Sequence, residues 1–168
     1  IGARMIELEH RLQGDSPATS RILRGYGFGQ GVARPKVYLQ AGLHADEMPG
    51  VLVLHHLMGL LERAEAAGQL TGQVMVVPAA NPIGLAQWAF QRPLGRQEAE
   101  SLHNFNRGYP DLAKIVADDL TESLGDSAAG NLLLIRAALR QATARLRNNA
   151  RNDMLEMQAA LLHWSCDA

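Results

Sequence analysis

Cysteine is nearly absent. Cys166 is the only thiol, which excludes an internal disulfide framework and fits a reducing, cytoplasmic setting. Neither sign of charge is in surplus: 16 Lys and Arg stand against 17 Asp and Glu, a formal net charge of −1. Without a basic excess the chain has no electrostatic footprint for nucleic acid. Long apolar runs are missing too. Stretches such as Val51–Leu54 and Leu132–Ile135 fall far short of the ~20 residues a membrane span needs. There is no repeat and no low-complexity linker, and no charged-then-apolar signal segment follows Ile1. What is present is a globular composition, 47% hydrophobic and 20% charged, which excludes disorder as the main state. A length of 168 residues fits a single α/β domain. The start at Ile1 and the stop at Ala168, directly after a helical stretch, lead us to expect the N-terminal part of a longer catalytic domain.

Periodicity sets out the elements. Residues 4–12 alternate apolar and polar side chains, predicting a half-buried strand, with residues 21–26 as its partner. The run Gly25-Tyr26-Gly27-Phe28-Gly29-Gln30-Gly31 leads to Pro35 and a strand, not into a helix. It therefore reads as a flexible hairpin loop and not as a phosphate cradle. Lys36–Gln40 is a short strand and Ala41–Met48 a turn. A helix follows, with Asp46 as N-cap, Pro49 in the first turn and Val51, Leu54, Met58 and Leu61 as its apolar stripe. Gly68 ends it, and Val74–Val77 is a second buried strand. Strand, helix and strand with short links form a βαβ unit, so the two strands should be parallel. Asn81–Tyr109 is irregular and long enough to be functional. Leu112–Leu124 is helical. Residues 131–147 form an amphipathic helix, and after Asn148-Asn149 a further helical run reaches Trp164. The predicted fold class is α/β, a mostly parallel or mixed sheet flanked by helices.

Two clusters carry chemistry. His44-Ala45-Asp46-Glu47 sets an imidazole and a carboxylate three residues apart where a strand gives way to a helix. Residues so spaced can turn toward one point, and both are ligand types that catalytic zinc accepts. Open α/β sheets bind ligands beyond the carboxyl ends of their strands, where this turn lies. The pair alone is not specific: six His and nine Glu in 168 residues give His-x-x-Glu by chance about 0.3 times. A plain helix N-terminus is the alternative. In the second cluster, Asn104-Phe105-Asn106-Arg107, the Arg fork can hold a carboxylate bidentately and an Asn amide can add a donor. Arg96, earlier in the same segment, can polarise a carbonyl or stabilise an oxyanion. Taken singly, each Arg can equally be a solvated loop cation. His103 borders the second cluster, whereas His55, His56 and His163 read as packing or surface residues.

Gly42-Leu43-His44-Ala45-Asp46-Glu47-Met48-Pro49-Gly50 resembles the Gly-x-His-Gly-Asp-Glu-x-x-Gly signature of the succinylglutamate desuccinylase/aspartoacylase family, which is zinc-carboxypeptidase-like. Val77-Pro78-Ala79-Ala80-Asn81-Pro82 resembles that family's next strand end, and Asn104 to Pro110 its Asp-Leu-Asn-Arg-x-Phe-Pro element. Gly95-Arg96 stands where the family has an upstream Arg. All four agree in order and spacing, over residues 36–112. The resemblance implies that His44 and Glu47 are zinc ligands, that Asn106 and Arg107 bind the substrate's carboxylate, and that Arg96 assists the scissile carbonyl. It implies a zinc-dependent deacylase or amidohydrolase acting on a small N-acyl amino acid or related carboxylate. Ala45 and Asn104 depart from the family's Gly and Asp. The family's third ligand, a His in an Asp-Leu-His strand end, and its later Glu base have no counterpart here. Ser165-Cys166-Asp167-Ala168 resembles the approach to that strand. A peptide-trimming metallocarboxypeptidase, a carboxylate-binding module without catalysis, and a homo-oligomer sharing ligands across an interface are the alternatives.

Overall fold

A computed structural model describes residues 5–14, 18–29, 34–121, 123–166 and 168. Residue 4 of the first predicted strand, Gln30-Gly31 of the glycine run and Asp167 lie outside the described residues. The chain forms two compact units, Ile1–Gly108 with Ala168, and Tyr109–Asp167.

The first unit is built on a four-stranded sheet of β1 (Ile6–Arg11), β2 (Ile22–Phe28), β3 (Lys36–Gln40) and β4 (Gln73–Val77), in the spatial order β1-β2-β4-β3. β1 and β2 pair antiparallel from Ile6↔Gly27 to Arg11↔Ile22, as the alternation predicted. The glycine run is not a hairpin loop: Gly25 to Phe28 lie inside β2, with Tyr26 opposite Val76 on β4. Its side chains show why. Leu23 and Phe28 are fully buried, and burying such a side chain is worth about 1.5–3 kcal/mol, more than the ~0.5–1 kcal/mol that a strand glycine costs. β3 and β4 pair parallel from Lys36↔Gln73 to Gln40↔Val77, and α1 (Met48–Ala66) connects them, completing the predicted βαβ unit. Because β3–β4 is the single parallel pairing described, the sheet is mixed and not mostly parallel.

α1 lies on β2 and β4, where Leu54 joins Phe28 and Val76 in a core closed by Leu39, Leu57, Met58 and Leu61. Its N-cap is Glu47 and not Asp46. The Glu47 N–H closes a turn onto the His44 carbonyl at 3.0 Å, which places Asp46 inside the turn. Pro49 sits in the first helical turn as expected, and Gly68 follows the helix in the left-handed region at φ +67°. The predicted irregular segment contains a short helix, α2 (Pro82–Leu85), and a small hairpin of β5 (Trp88–Ala89) and β6 (Arg92–Pro93).

The second unit is helical: α3 (Leu112–Thr121), α4 (Ala128–Asn148) and α5 (Asp153–Ser165). Val116, Leu120 and Ala142 form its core, with Ile135 and Leu139 of α4 packed against them. Ser127 caps α4 by accepting from the Gly130 N–H, so the helix starts three residues earlier than its periodicity indicated. Asn152 caps α5 in the same way, after the predicted break. Among the described residues no helix is long and apolar enough to cross a membrane.

Candidate active site

Parallel pairing brings the carboxyl ends of β3 and β4 side by side, and the loops leaving them are tied together. The Ala41 N–H donates to the Val77 carbonyl at 3.0 Å, and the Ala80 N–H to the Ala41 carbonyl at 2.9 Å. Gly42 turns the chain at φ +67°, where a Cβ would stand 2.9 Å from Val51 of α1. Asn81 completes the tie. Fully buried, it donates from Nδ2 to the Leu43 carbonyl at 2.8 Å and accepts the Gly84 N–H on Oδ1 at 2.7 Å. It thus caps α2 and also fixes the backbone next to His44.

A second layer comes from the segment after the hairpin. Gly95 passes against the turn, and its carbonyl accepts the Ala45 N–H at 2.8 Å. A Cβ on Gly95 would stand 2.2 Å from the Asp46 nitrogen, so only glycine lets the two backbones approach this closely. The chain then loops out and returns. Gln97 bridges to Asn104, and the Phe105 N–H donates to the Arg96 carbonyl at 3.2 Å. Glu98 ties off the loop by accepting the Ser101 N–H and hydroxyl at 2.7 and 2.6 Å. Phe105, fully buried, anchors it.

These supports bring five side chains together. The Nδ1 of His44 lies 3.3 Å from Glu47 Oε1, with the imidazole largely buried and the carboxylate exposed. Arg96 sits against both. Its Nη1 lies 3.2 Å from His44 Nδ1, and its Nη2 donates to Glu47 Oε1 at 2.5 Å. That hydrogen bond from Arg96 is the main reason the Glu47 carboxyl is held below its ordinary range. Asp46 faces the same guanidinium at 4.0 Å. On the far side of the ring, His44 Nε2 lies 2.9 Å from Asn104 Oδ1.

The sequence-predicted residues therefore fall into two groups. His44, Glu47 and Arg96 meet directly. Asn106 and Arg107 join through the following turn: the Asn106 N–H donates to Asn104 Oδ1 at 2.8 Å and the Arg107 N–H to the Asn104 carbonyl at 3.0 Å. Both side chains are exposed, and the Arg107 guanidinium donates to the Asn106 carbonyl at 2.7 Å. His103 is exposed, and its carbonyl accepts the Glu98 N–H. His163 belongs to the second unit, where its Nδ1 meets Thr143 Oγ1 at 3.0 Å, a packing role. Sequence reasoning missed Gly95 and the contact between Asn104 and His44. The signal for the second was available: Asn104 is the first residue of the element read as functional.

The donor set can hold a metal. Two atoms bound to a tetrahedral zinc at 2.0–2.2 Å are about 3.3–3.5 Å apart. His44 Nδ1 and Glu47 Oε1 are separated by 3.3 Å and face one cation, the Arg96 guanidinium. Among the described residues no third His, Cys, Asp or Glu joins them.

Comparison with known proteins bears on the fold and the family. A crystallised Shewanella frigidimarina protein named for succinylglutamate desuccinylase/aspartoacylase superposes with a TM-score of 0.84 at 23% identity, over 99% of this chain and 44% of its own. That likeness shows the fold. A Shewanella amazonensis protein of the succinylglutamate desuccinylase/aspartoacylase family is 30% identical with a TM-score of 0.73, over 94% of this chain and 42% of its own. The chain thus spans less than half the length of either. No curated protein matches it. The Succinylglutamate desuccinylase/Aspartoacylase catalytic domain matches residues 33–147, more than half of the chain and every residue of the cluster. The chain belongs to the succinylglutamate desuccinylase/aspartoacylase family.

Proposed function

We propose that this chain forms the metal-holding part of a zinc-dependent hydrolase, a deacylase or amidohydrolase cleaving the acyl-amide bond of a small N-acyl amino acid or related carboxylate. The observation that carries the reading is that His44 Nδ1 and Glu47 Oε1 lie 3.3 Å apart with the Arg96 guanidinium against both. Membership in the family supports it. His44 and Glu47 would hold the metal. Zinc, when bound, supplies a water whose pKa is brought down to ~7 and polarises the scissile carbonyl.

The remaining work falls to side chains. Arg96 reaches the cluster with a permanent charge, and its donors are the groups available to an oxygen that gains charge as the amide carbon becomes tetrahedral. Asp46 and Glu47 hold that guanidinium in place. Arg107 offers a planar fork on an exposed turn, and with the Asn106 amide it would take the substrate's carboxylate. The decisive experiment uses the purified full-length protein. Chelation should abolish hydrolysis of N-acyl amino acids, and added zinc should restore it. Activity that survives complete removal of metal overturns the proposal.

A further inference from the structure

We propose that the β5–β6 hairpin and the loop tip at Leu102 form an apolar subsite beside the polar cluster, and that this subsite takes a linear apolar acyl chain on the substrate. The subsite deepens the hydrolase reading and rests on it for the fate of the ligand, not for its binding.

Two apolar side chains are held in water at a cost to the backbone. The hairpin pairs Trp88 with Pro93 and Ala89 with Arg92, so Phe90 and Gln91 are its two turn residues. Both have positive φ, +49° and +63°. A two-residue turn of this kind favours Asn-Gly, because a Cβ disfavours the left-handed region. Here the first position holds a phenylalanine that is 99% exposed. Leu102 repeats the pattern, with φ +59° and 67% exposure. Among the described residues, Phe90, Gln91 and Leu102 are the only ones other than glycine with positive φ. Val53 and Leu133 are about as exposed as Leu102, but each lies on a helix that needs no strain to place it. Strain that keeps apolar side chains in water is a mark of a binding surface. Trp88 adds an exposed indole, held by donation from Nε1 to the Leu85 carbonyl at 3.3 Å.

This surface is continuous with the polar cluster. Exposed Leu94 leads directly into Gly95, which lies against Ala45 and Asp46, and then into Arg96 on His44 and Glu47. Leu102 stands two residues before Asn104, whose Oδ1 meets His44 Nε2. Gln87 stitches hairpin to loop: in the orientation that pairs donors with acceptors, its amide donates to the Leu94 and Gln97 carbonyls at 3.0 and 2.9 Å and accepts the Ala99 N–H at 3.0 Å. The His44 ring sorts the ends of the substrate. Asn106 and Arg107, proposed for the carboxylate, join from the Nε2 side through Asn104, whereas Arg96, proposed for the scissile carbonyl, lies on the Nδ1 side. An acyl chain leaves that carbonyl away from the amino acid, and the backbone of Arg96 runs back through Leu94 to the hairpin. Methylene groups are what these side chains can cover.

The test uses full-length protein in metal-free form and two probes, N-octanoylglycine and N-acetylglycine, in which glycine adds no side chain of its own. Titration calorimetry reads both affinities. The octanoyl probe should bind about 10-fold more tightly, equivalent to covering about two methylene groups, with a more negative heat-capacity change. Phe90→Asn and Leu102→Asn place a residue that tolerates positive φ, so each should cut the octanoyl-to-acetyl ratio to about 3-fold or less while the thermal midpoint holds or rises. A merely structural role would lower the midpoint and leave the ratio alone. Trp88→Ser, outside the strained turn, keeps the test open should the asparagine variants not fold. Equal affinity for the two probes in wild type, or a ratio untouched by all three substitutions, overturns the proposal. So does a Phe90→Asn protein that keeps the ratio but halves in mass, which would make the hairpin an interface between copies. An octanoyl advantage in zinc-loaded protein that cleaves neither probe overturns the hydrolase reading and leaves the subsite standing; cleavage of N-acetylglycine without an octanoyl advantage does the reverse.

Discussion

Glu47 is the residue at which electrostatics and function meet. Its carboxyl is held below the ordinary value of 4.5, chiefly by the hydrogen bond from Arg96. A carboxyl with a lowered folded-state value contributes stability that is fully present above its ordinary value and is lost as pH falls through the lowered one. In metal-free protein, urea midpoints of wild type and Glu47→Gln should therefore differ most above about pH 5 and draw together as pH falls through the lowered value. A gap that widens on acidification would contradict the Arg96 contact. With zinc present, the same substitution should abolish metal retention while the circular dichroism spectrum stays unchanged. Arg107 makes a separate prediction. Charge-assisted hydrogen bonds are worth about 1.5–3 kcal/mol, so Arg107→Ala should raise KM for a carboxylate substrate about 10–150-fold with bound zinc unchanged. Loss of the fold instead would make Arg107 a structural partner and remove it from substrate binding.

At the scale of elements, the site is a turn held between two loops, and the supports can be tested apart from the chemistry. Asn81 is fully buried and serves the Leu43 carbonyl and the Gly84 N–H. Asn81→Ala leaves both unpaired, and each buried orphan costs about 1–3 kcal/mol, so unfolding by urea should show a loss of about 2–6 kcal/mol. Gly95→Ala forces a Cβ into the backbone of Ala45 and Asp46, which cannot yield as a flexible side chain would. We expect about 1–3 kcal/mol of destabilisation and a shift of Arg96 away from His44, whereas Gly125→Ala, with nothing within 4 Å, should be neutral. An equal effect at the two glycines would show that the close approach at Gly95 carries no strain. Elements of this kind were unevenly legible. The strand–helix–strand unit could be read because β3, α1 and β4 each announce their own period. The place of β2 between β1 and β4 could not, since alternation fixes a strand's faces but not its neighbour, and the glycines of β2 masked a strand defined by Leu23 and Phe28.

Across the whole molecule, His44 and Asn104 meet across 60 residues of chain. The two motifs that carry the chemistry were each visible in the sequence because their residue types and spacing are local. Their meeting was implied only by the family resemblance, because it depends on one close backbone approach at Gly95 and on a loop tied off by Glu98, neither of which leaves a periodic trace. The division into two compact units was equally silent, as no linker composition marks residue 108. All of the named site residues lie in the first unit, and among the described residues no group of three His, Cys, Asp or Glu gathers around them. Catalytic zinc usually takes three protein ligands and keeps one position open. The 168-residue chain by itself should therefore bind zinc weakly, with a Kd above about 1 μM by equilibrium dialysis against a chelator buffer, with circular dichroism confirming that it is folded. Glu47→Ala should weaken even that. Tight binding by a monomer would put a third donor within these 168 residues. Tight binding that doubles the mass on adding zinc would put it on a second copy of the chain, and the metal site would then be a property of the assembly.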